Sequence, residues 1–233
     1  MPPLIDWAAP VDDDPRNPWF SWEYVRQNID SLTTALQQHL SLTFVAVAVA
    51  AVIGIPLAVV AYRLRWLTGP ILAATGVLYT IPSLALFALI GPVLGLTFTS
   101  AVTGLILYAL LAVVRNALTG LRQVPADVRE AAQGMGYGRA GMLWRVELPL
   151  ALPSIMTGLR IATVSTVALV TVATVVSHGG FGNLIIVGFT NNFYKPQIMA
   201  GTIGCLAVAL VLDLLLIGFG RLIMPWARRR NAT

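Results

Sequence analysis

The sequence predicts an all-α integral membrane protein with five membrane-spanning helices and an amphipathic helix before them. Of its 233 residues, 57% are hydrophobic and 11% are charged, which is far more apolar than the balance of soluble domains. The apolar residues are gathered into segments, and about 20 helical residues cross a bilayer core of roughly 30 Å. We assign the spans, of which the third is the core of a longer one, to residues 40–62, 70–96, 101–114, 150–177 and 200–224.

Residues 1–38 precede the membrane domain of residues 39–226 and contain the predicted amphipathic helix. Five apolar residues recur there at spacings of three and four, while polar residues occupy the rest of the helical wheel: Trp22, Val25, Ile29, Leu32 and Leu36. This pattern predicts a helix that lies on the outer membrane surface or packs on the exterior of the bundle.

The basic residues predict which way the chain crosses the membrane. If the spans alternate, eleven arginines fall on one side: Arg63, Arg65, Arg115, Arg122, Arg129, Arg139, Arg145, Arg221, Arg228, Arg229 and Arg230. The other side has only Arg16, Arg26 and Lys195, beside the acidic run of residues 12–14. Cytoplasmic loops are enriched in Lys and Arg, so the N-terminus is expected outside and the tail of residues 227–233 in the cytoplasm.

Residues 115–149 form a polar segment between the third and fourth spans, and they predict two short cytoplasmic helices joined by a bend. Asp127 and Glu130 have the spacing of a capping box at a helix start, and Pro149 suits the first turn of the next span. The other signals are helix-forming alanines, three glycines that favour a bend, and an apolar face for the second helix: Ala131, Ala132, Gly134, Gly136, Gly138, Leu143, Trp144 and Val146.

The run Glu130-Ala131-Ala132, then Gly136, then Leu148-Pro149 resembles the coupling loop of type I ABC importer permeases. Val146 stands where that family usually has Ile. The resemblance implies the five-helix permease core, with Glu130, Ala131, Ala132 and Gly136 in the coupling helix region and Leu148-Pro149 at the end of the loop. Together with Asp127, these are the residues that we assign to ATPase coupling. It also implies a pair of cytoplasmic ATPase subunits, a second permease that is identical or paralogous, and an extracytoplasmic substrate-binding protein. The plainer alternative is that Glu130 only caps a helix and the glycines only make a turn.

Two further segments resemble the permeases of osmoprotectant importers, which move glycine betaine, carnitine, choline or related quaternary amines. They are Tyr79 to Leu86, which contains Thr-Ile-Pro-Ser-Leu-Ala-Leu, and the Gly-rich stretch 179–189. Pro82 predicts a kink in span two, with Gly91-Pro92 as a second interruption. A kinked helix of small residues suits a pathway wall and the Gly-rich stretch suits an outer gate, so we assign Thr80, Pro82, Ser83, Gly180 and Gly182 to the pathway or its gate. The alternatives are a kink without a pathway role and glycines that only make turns.

The apolar spans contain two formal charges, Arg160 in the fourth and Asp213 in the fifth. A charge at the centre of a membrane helix costs about 2.5–3.5 kcal/mol, so each is expected to find a partner. Both lie ten or eleven residues from the cytoplasmic end of their spans, so we expect them to pair. A proton relay through the two groups is the alternative.

Other chemistry is limited by composition. The one lysine, Lys195, is not part of a phosphate-binding Gly-x-x-x-x-Gly-Lys motif, so we expect no enzyme activity and no cofactor in this chain, with ATP and Mg bound by the partner ATPase. Two histidines and one cysteine predict no metal site. Tyr79, Tyr108 and Phe87 are scattered singly and form no evident aromatic cage, so a separate binding protein is expected to recognise the solute.

We therefore expect a multi-pass permease in a bacterial or archaeal cytoplasmic membrane, with no nucleic-acid partner. Two alternatives remain open: a permease for another small polar solute, such as an amino acid, and a secondary transporter, which would favour internal repeats that this sequence lacks.

Overall fold

The computed structural model describes residues 17–177 and 179–226, and the regular secondary structure of these residues is entirely helical. The ten α-helices, with a π-helical turn at Leu143–Glu147 between α7 and α8, are α1 (Trp22–Gln27), α2 (Ile29–Arg63), α3 (Arg65–Thr80), α4 (Ser83–Leu94), α5 (Phe98–Arg122), α6 (Ala126–Gly134), α7 (Arg139–Met142), α8 (Leu148–Ser177), α9 (Gly180–Thr190) and α10 (Lys195–Ile223). The acidic run of residues 12–14, Arg16 and the tail 227–233 lie outside the described residues.

Four stretches of the described chain are long and apolar enough to cross a bilayer: α2, α5, α10 and the continuous helix Arg139–Val176. Helices α3 and α4 together count as a fifth span if they are treated as one broken span, in which the two helices are bent by 95° relative to each other. The predicted all-α membrane architecture is therefore confirmed.

The predicted amphipathic helix is divided at Asn28 in the structure. Its first turns form α1, which ends where the Asn28 side-chain amide donates to the Tyr24 carbonyl at 2.9 Å. Ile29, Leu32 and Leu36 belong instead to α2, which continues without interruption into the first span. No glycine or proline lies between Ile29 and Ile53, so nothing in that part of the chain ends the helix.

The break between α3 and α4 is sharper than the predicted kink. Ile81 and Pro82 are both extended, with ψ values of 128° and 132°, because a residue before proline avoids the helical region and proline has no N–H to donate. The Thr80 hydroxyl donates to the Val77 carbonyl at 2.7 Å, and the Tyr108 hydroxyl donates to the Ile81 carbonyl. The predicted second interruption was wrong: Pro92 lies inside α4, which ends at Gly95 (φ 77°).

The centre of the bundle is the contact between α5 and α8. A methyl group on Gly158 would lie 2.6 Å from the Asn116 Cβ, and one on Gly120 would lie 2.8 Å from the Ala151 carbonyl oxygen. Only glycine permits this approach, as is common where membrane helices pack closely. The Ser154 hydroxyl adds a hydrogen bond of 2.9 Å to the Asn116 carbonyl.

The predicted loop of residues 115–149 is mostly helical. Helix α5 runs to Arg122, and Arg139 already begins the helix that becomes α8, so the connection between them spans residues 123–138 and contains α6. Pro149 lies in the first turn of α8, as predicted, although the chain before it is already helical. The wider π turn at Leu143–Glu147 directly precedes it, and such a turn relieves the clash between a proline ring and the carbonyl four residues earlier.

The two intramembrane charges meet between α8 and α10. The Arg160 Nε donates to the Asp213 Oδ1 at 2.8 Å, and its second guanidinium nitrogen donates to Oδ2 at 2.9 Å. This fork geometry matches the two carboxylate oxygens and lets each charge enter an apolar span neutralised by the other. The pair ties α10 to the rest of the bundle.

Removing one member of this pair is expected to cost more than removing both. Asp213→Asn leaves the Arg160 guanidinium in an apolar span without a counter-charge, whereas Asp213→Asn with Arg160→Met leaves no unpaired charge. Thermal unfolding in detergent and the amount of protein in the membrane measure the difference. Asp30→Asn, at an exposed carboxylate near the start of α2, is the control, and equal losses in the single and double variants would contradict the expectation.

Candidate functional site

The connection between α5 and α7 is shaped by a glycine motif at the end of α6. The Tyr137 N–H donates to the Ala132 carbonyl at 3.2 Å, and the Gly136 N–H donates to the Gln133 carbonyl at 2.9 Å. These two bonds, with Gly136 at φ 84°, form a Schellman motif, which satisfies the last carbonyls of a helix and turns the chain away. The glycine bend predicted from the sequence is therefore present, and Gly136 is the residue that requires glycine.

The start of α6 differs from the predicted capping box. Pro125 precedes the first helical residue, Ala126, and no side chain caps the helix. Asp127 lies within the first turn, where the positive end of the helix dipole favours a carboxylate without any direct hydrogen bond.

Helix α6 presents an acidic, small-residue face to its surroundings. Asp127, Glu130 and Ala131 are exposed, whereas Ala132 is buried against the rest of the chain. Among the described residues, none forms a hydrogen bond or ion pair with the Glu130 carboxylate. Its charge is therefore available to a partner, and the small neighbour allows a partner backbone to approach closely.

Beside α6, an exposed groove follows the glycine bend into α7 and the π turn. Met135 and Trp144 are 72% and 70% exposed, and Tyr137 and Arg145 line the same groove. Of the predicted apolar face of the second helix, Leu143 packs against the core but Trp144 points away from it. An exposed patch of large apolar side chains rimmed by polar residues is typical of a protein contact surface.

A buried carboxylate holds this loop against the membrane helices. Glu147 is buried, with 2% of its surface exposed. Its Oε1 accepts a hydrogen bond from the Tyr62 hydroxyl at 2.8 Å, and its Oε2 accepts one from Arg63 at 2.9 Å. Arg129 of α6 donates to the Tyr62 hydroxyl at 2.8 Å, and Arg63 also donates to the Arg139 carbonyl at 3.1 Å. This network, here called the Glu147 brace, joins the end of α2 to α6, α7 and the π turn.

The Glu147 brace was not among the predictions from the sequence. A signal was present, because Glu147 lies only two residues before Pro149 in an otherwise apolar helix start. A carboxylate at such a position needs partners when it is buried, and the nearest candidates along the chain were the arginines of the same loop. Its actual partners come from α2 and could not be identified from spacing along the chain.

The remaining predicted coupling residues lie inside the helix that leaves the loop. Leu148 packs against a buried cluster that includes Ala58, Leu118 and Ile155, and Pro149 is half-buried in the following turn. The structure thus separates the predicted set into surface residues on α6 and at the bend, and packing residues at the start of α8.

The predicted pathway residues fall into two separate elements. Thr80, Pro82 and Ser83 lie at the break between α3 and α4, where the first two are exposed. Gly180 and Gly182 are buried at the start of α9, and a methyl group on Gly182 would lie 2.4 Å from the Thr174 hydroxyl of α8. Both glycines therefore serve close packing in this structure, and their role in a gate stays a prediction.

Helix α9 is fixed at its start by two side chains of α2. The Gln38 side-chain carbonyl accepts from the Gly180 N–H at 2.9 Å, and the fully buried His39 accepts from the Phe181 N–H through Nδ1 at 3.4 Å. Its Nε2 then carries the proton and donates to the Val167 carbonyl at 3.1 Å. Within the two described stretches, no three His, Cys, Asp or Glu side chains are grouped so as to hold a metal.

Comparison with known proteins agrees with this geometry. Residues 39–229 match the family described as binding-protein-dependent transport system inner membrane component. The osmoprotectant import permease protein OsmW of Salmonella typhimurium is 39% identical over 198 residues, 83% of this chain and 92% of that protein. The glycine betaine/carnitine/choline transport system permease protein OpuCD of Bacillus subtilis is 34% identical over 208 residues, 89% of this chain and 91% of that protein.

The fold also matches solved structures. A chain of the MetNI methionine ABC transporter in an inward-facing conformation superposes with a TM-score of 0.69 at 22% identity, over 83% of this chain and 94% of that chain. The resemblance to ABC importer permeases that the Glu-Ala-Ala segment indicated is confirmed.

Replacing Gly136 by alanine is expected to loosen the bend. The added methyl group would meet no atom within 4 Å, so the only penalty is the left-handed backbone, about 1–2 kcal/mol for a residue with a Cβ. Amide hydrogen exchange at Gly136 and Tyr137, whose N–H groups form the motif, should rise about 5- to 30-fold. Gly134→Ala, which also meets open space but has an ordinary helical backbone, is the matched control. Equal exchange in both variants would show that the motif does not hold the bend.

Neutralising the two glutamates of the loop is expected to have different effects on stability. Glu147→Gln removes the charge that accepts from Arg63 and Tyr62, which should cost about 1–3 kcal/mol and lower the melting temperature in detergent by several degrees. Glu130→Gln changes an exposed, unpaired carboxylate and should leave that temperature unchanged. A melting temperature that Glu147→Gln does not lower would refute a stabilising role for the brace.

Proposed function

Because the chain belongs to the binding-protein-dependent transport system inner membrane components, we propose that it is the permease subunit of an ABC importer for quaternary-amine osmoprotectants such as glycine betaine. The observation that carries the substrate class is the 39% identity to an osmoprotectant import permease over 92% of that protein's length. Relatives whose names refer to choline and to glycine betaine, carnitine and choline support the same class at 32% and 34% identity. The Tyr79 to Leu86 segment was the part of the sequence that indicated it.

In this proposal, ATP hydrolysis is coupled to transport through the loop between α5 and α8. A cytoplasmic ATPase binds a surface that consists of the unpaired Glu130, the small Ala131 and the exposed groove at Trp144. The Glu147 brace transmits movement of this surface to α2. Two ATPase subunits, one for each permease of a pair, bind and hydrolyse ATP, since this sequence has no P-loop of its own.

The loop faces the cytoplasm in this proposal, and the distribution of arginines supports that orientation. A pocket at one end of the bundle is lined by four arginines: Arg63, Arg65, Arg122 and Arg129. At the start of α10, Lys195 lies over the Trp19 ring, 5.3 Å from its centre. The arginine-rich end is the cytoplasmic one by the positive-inside rule, so the start of α2 faces the binding protein outside.

Much of the helical surface is uncovered in the single chain, which fits a permease that works as a pair in lipid. In the apolar window of α10, only 11% of the residues are buried, and Leu206, Leu214 and Leu222 are exposed. Part of this surface meets lipid and part meets a second permease, an identical copy or a paralogue.

Uptake of labelled glycine betaine by the complete importer tests the proposal. Proteoliposomes containing the permease, its ATPase and its binding protein should accumulate glycine betaine only when ATP is enclosed on the ATPase side. Glu130→Lys should reduce the rate at least tenfold while the protein still reaches the membrane, because the reversed charge opposes docking. Asp30→Lys, an exposed reversal at the opposite end of the bundle, is the control for charge reversal as such: it should keep the binding of the ATPase to the permease, which Glu130→Lys should lose.

Two outcomes would contradict this function. No uptake of glycine betaine, choline or carnitine, together with uptake of an amino acid such as methionine, would replace the substrate class. Uptake that Glu130→Lys leaves unchanged would refute the coupling role of α6.

A further inference from the structure

A cavity of about 250 Å³ opens between α3, α5 and α8, at the level of the break between α3 and α4. Drug-sized ligands occupy pockets of about 300–1,000 Å³, so this volume suits a smaller solute. Six of its lining residues have aromatic rings or polar groups: Tyr79, Tyr108, Arg115, Asn116, Ser165 and Thr166.

Two tyrosines form the wall of the cavity next to the break between α3 and α4. The Tyr79 and Tyr108 rings pack edge to face with centres 5.6 Å apart, so the residues that looked scattered in the sequence are neighbours. The Tyr108 hydroxyl is fixed on the Ile81 carbonyl, which the proline break leaves without a helical partner. Tyr79 is the last residue but one of α3 and remains 48% exposed. The break therefore holds an aromatic pair in place and leaves part of it open, and the face of a tyrosine ring attracts quaternary ammonium groups.

The opposite wall of the cavity is positive. Arg115 lies seven residues after Tyr108, two turns along the same face of α5, or about 10 Å. Within residues 17–177 and 179–226, its guanidinium forms no hydrogen bond or ion pair. A cation alone would be repelled by Arg115, whereas a solute that also has a carboxylate would neutralise it.

Thr166 supplies an independent sign that a ligand belongs here. Thr166 is 1% exposed, and its hydroxyl has no hydrogen-bond partner, although Thr163, one turn earlier on α8, donates to the Leu159 carbonyl at 2.8 Å. A buried hydroxyl without a partner has lost the hydrogen bonds that water would give it, which destabilises the empty cavity. An oxygen of a bound solute would provide the missing acceptor.

We propose that this cavity is a membrane-embedded binding site for a zwitterionic quaternary amine, with the ammonium against Tyr79 and Tyr108 and the carboxylate towards Arg115 and Thr166. The substrate class rests on the proposed function, but the presence of a site within the permease does not follow from it, because recognition by a separate binding protein would suffice for import. The site favours glycine betaine or carnitine over choline, which has no carboxylate.

Equilibrium binding of radiolabelled glycine betaine tests this site directly. The permease with its ATPase, in lipid nanodiscs and without the binding protein, should bind glycine betaine saturably, and excess choline should displace it at least tenfold less effectively than unlabelled betaine. Tyr79→Leu and Thr166→Val should each weaken the affinity about 3- to 30-fold. Arg115→Gln should abolish the preference for betaine over choline.

Thr43→Val is the matched control. Thr43 is also 1% exposed with an unpartnered hydroxyl, but it lines a separate apolar groove between α2, α8 and α10. This variant changes a threonine in the same way as Thr166→Val and should leave betaine binding unchanged.

The binding assay decides the site, and uptake by the complete importer decides the function. Absent binding without the binding protein, or equal affinity in the wild type, Tyr79→Leu and Thr166→Val, would overturn the site even if ATP-driven uptake is intact. Equal weakening by Thr43→Val and Thr166→Val would overturn it too, since the effect would then reflect packing. Failure of uptake with selective binding intact would overturn the proposed function alone.

Discussion

The close contact of α5 and α8 at Gly120 and Gly158 is the constraint on which the other features of this chain depend. Helix α5 leads into the connection that contains α6, and the helix that returns from it continues as α8, so this contact fixes the distance that residues 123–138 must bridge. The same two helices form two walls of the cavity beside Tyr79 and Tyr108. The close approach at these two glycines therefore sets the geometry of both the exposed α6 surface and the cavity.

Patterns along the chain predicted what depends on neighbours in sequence. Apolar segment length gave the spans, the three glycines gave the bend at Gly136, and Pro82 gave the break between α3 and α4. What local patterns could not supply was continuity: the helix beginning at Ile29 and the one beginning at Arg139 extend beyond the predicted spans, because helix propensity does not change where the membrane begins.

Contacts between distant residues were predictable only where the membrane forced them. Arg160 and Asp213 had few partners available within the apolar spans, so their pairing followed from the free-energy cost of an unpaired charge in the membrane. The Glu147 brace and the Tyr79–Tyr108 pair each join helices whose relative rotation the sequence does not state. Their partners therefore did not follow from the residue types alone.

The helix from Arg139 to Val176 has a mechanical consequence. It runs without a break from the exposed Trp144 to Thr166 beside the cavity, about 33 Å at 1.5 Å per residue. A helix of this length moves as a rigid rod, so a small tilt imposed at its Trp144 end displaces its far end. The π turn at Leu143–Glu147 is the one irregular turn along it, and the Glu147 brace anchors that turn to α2, so a movement of the turn also moves the end of α2.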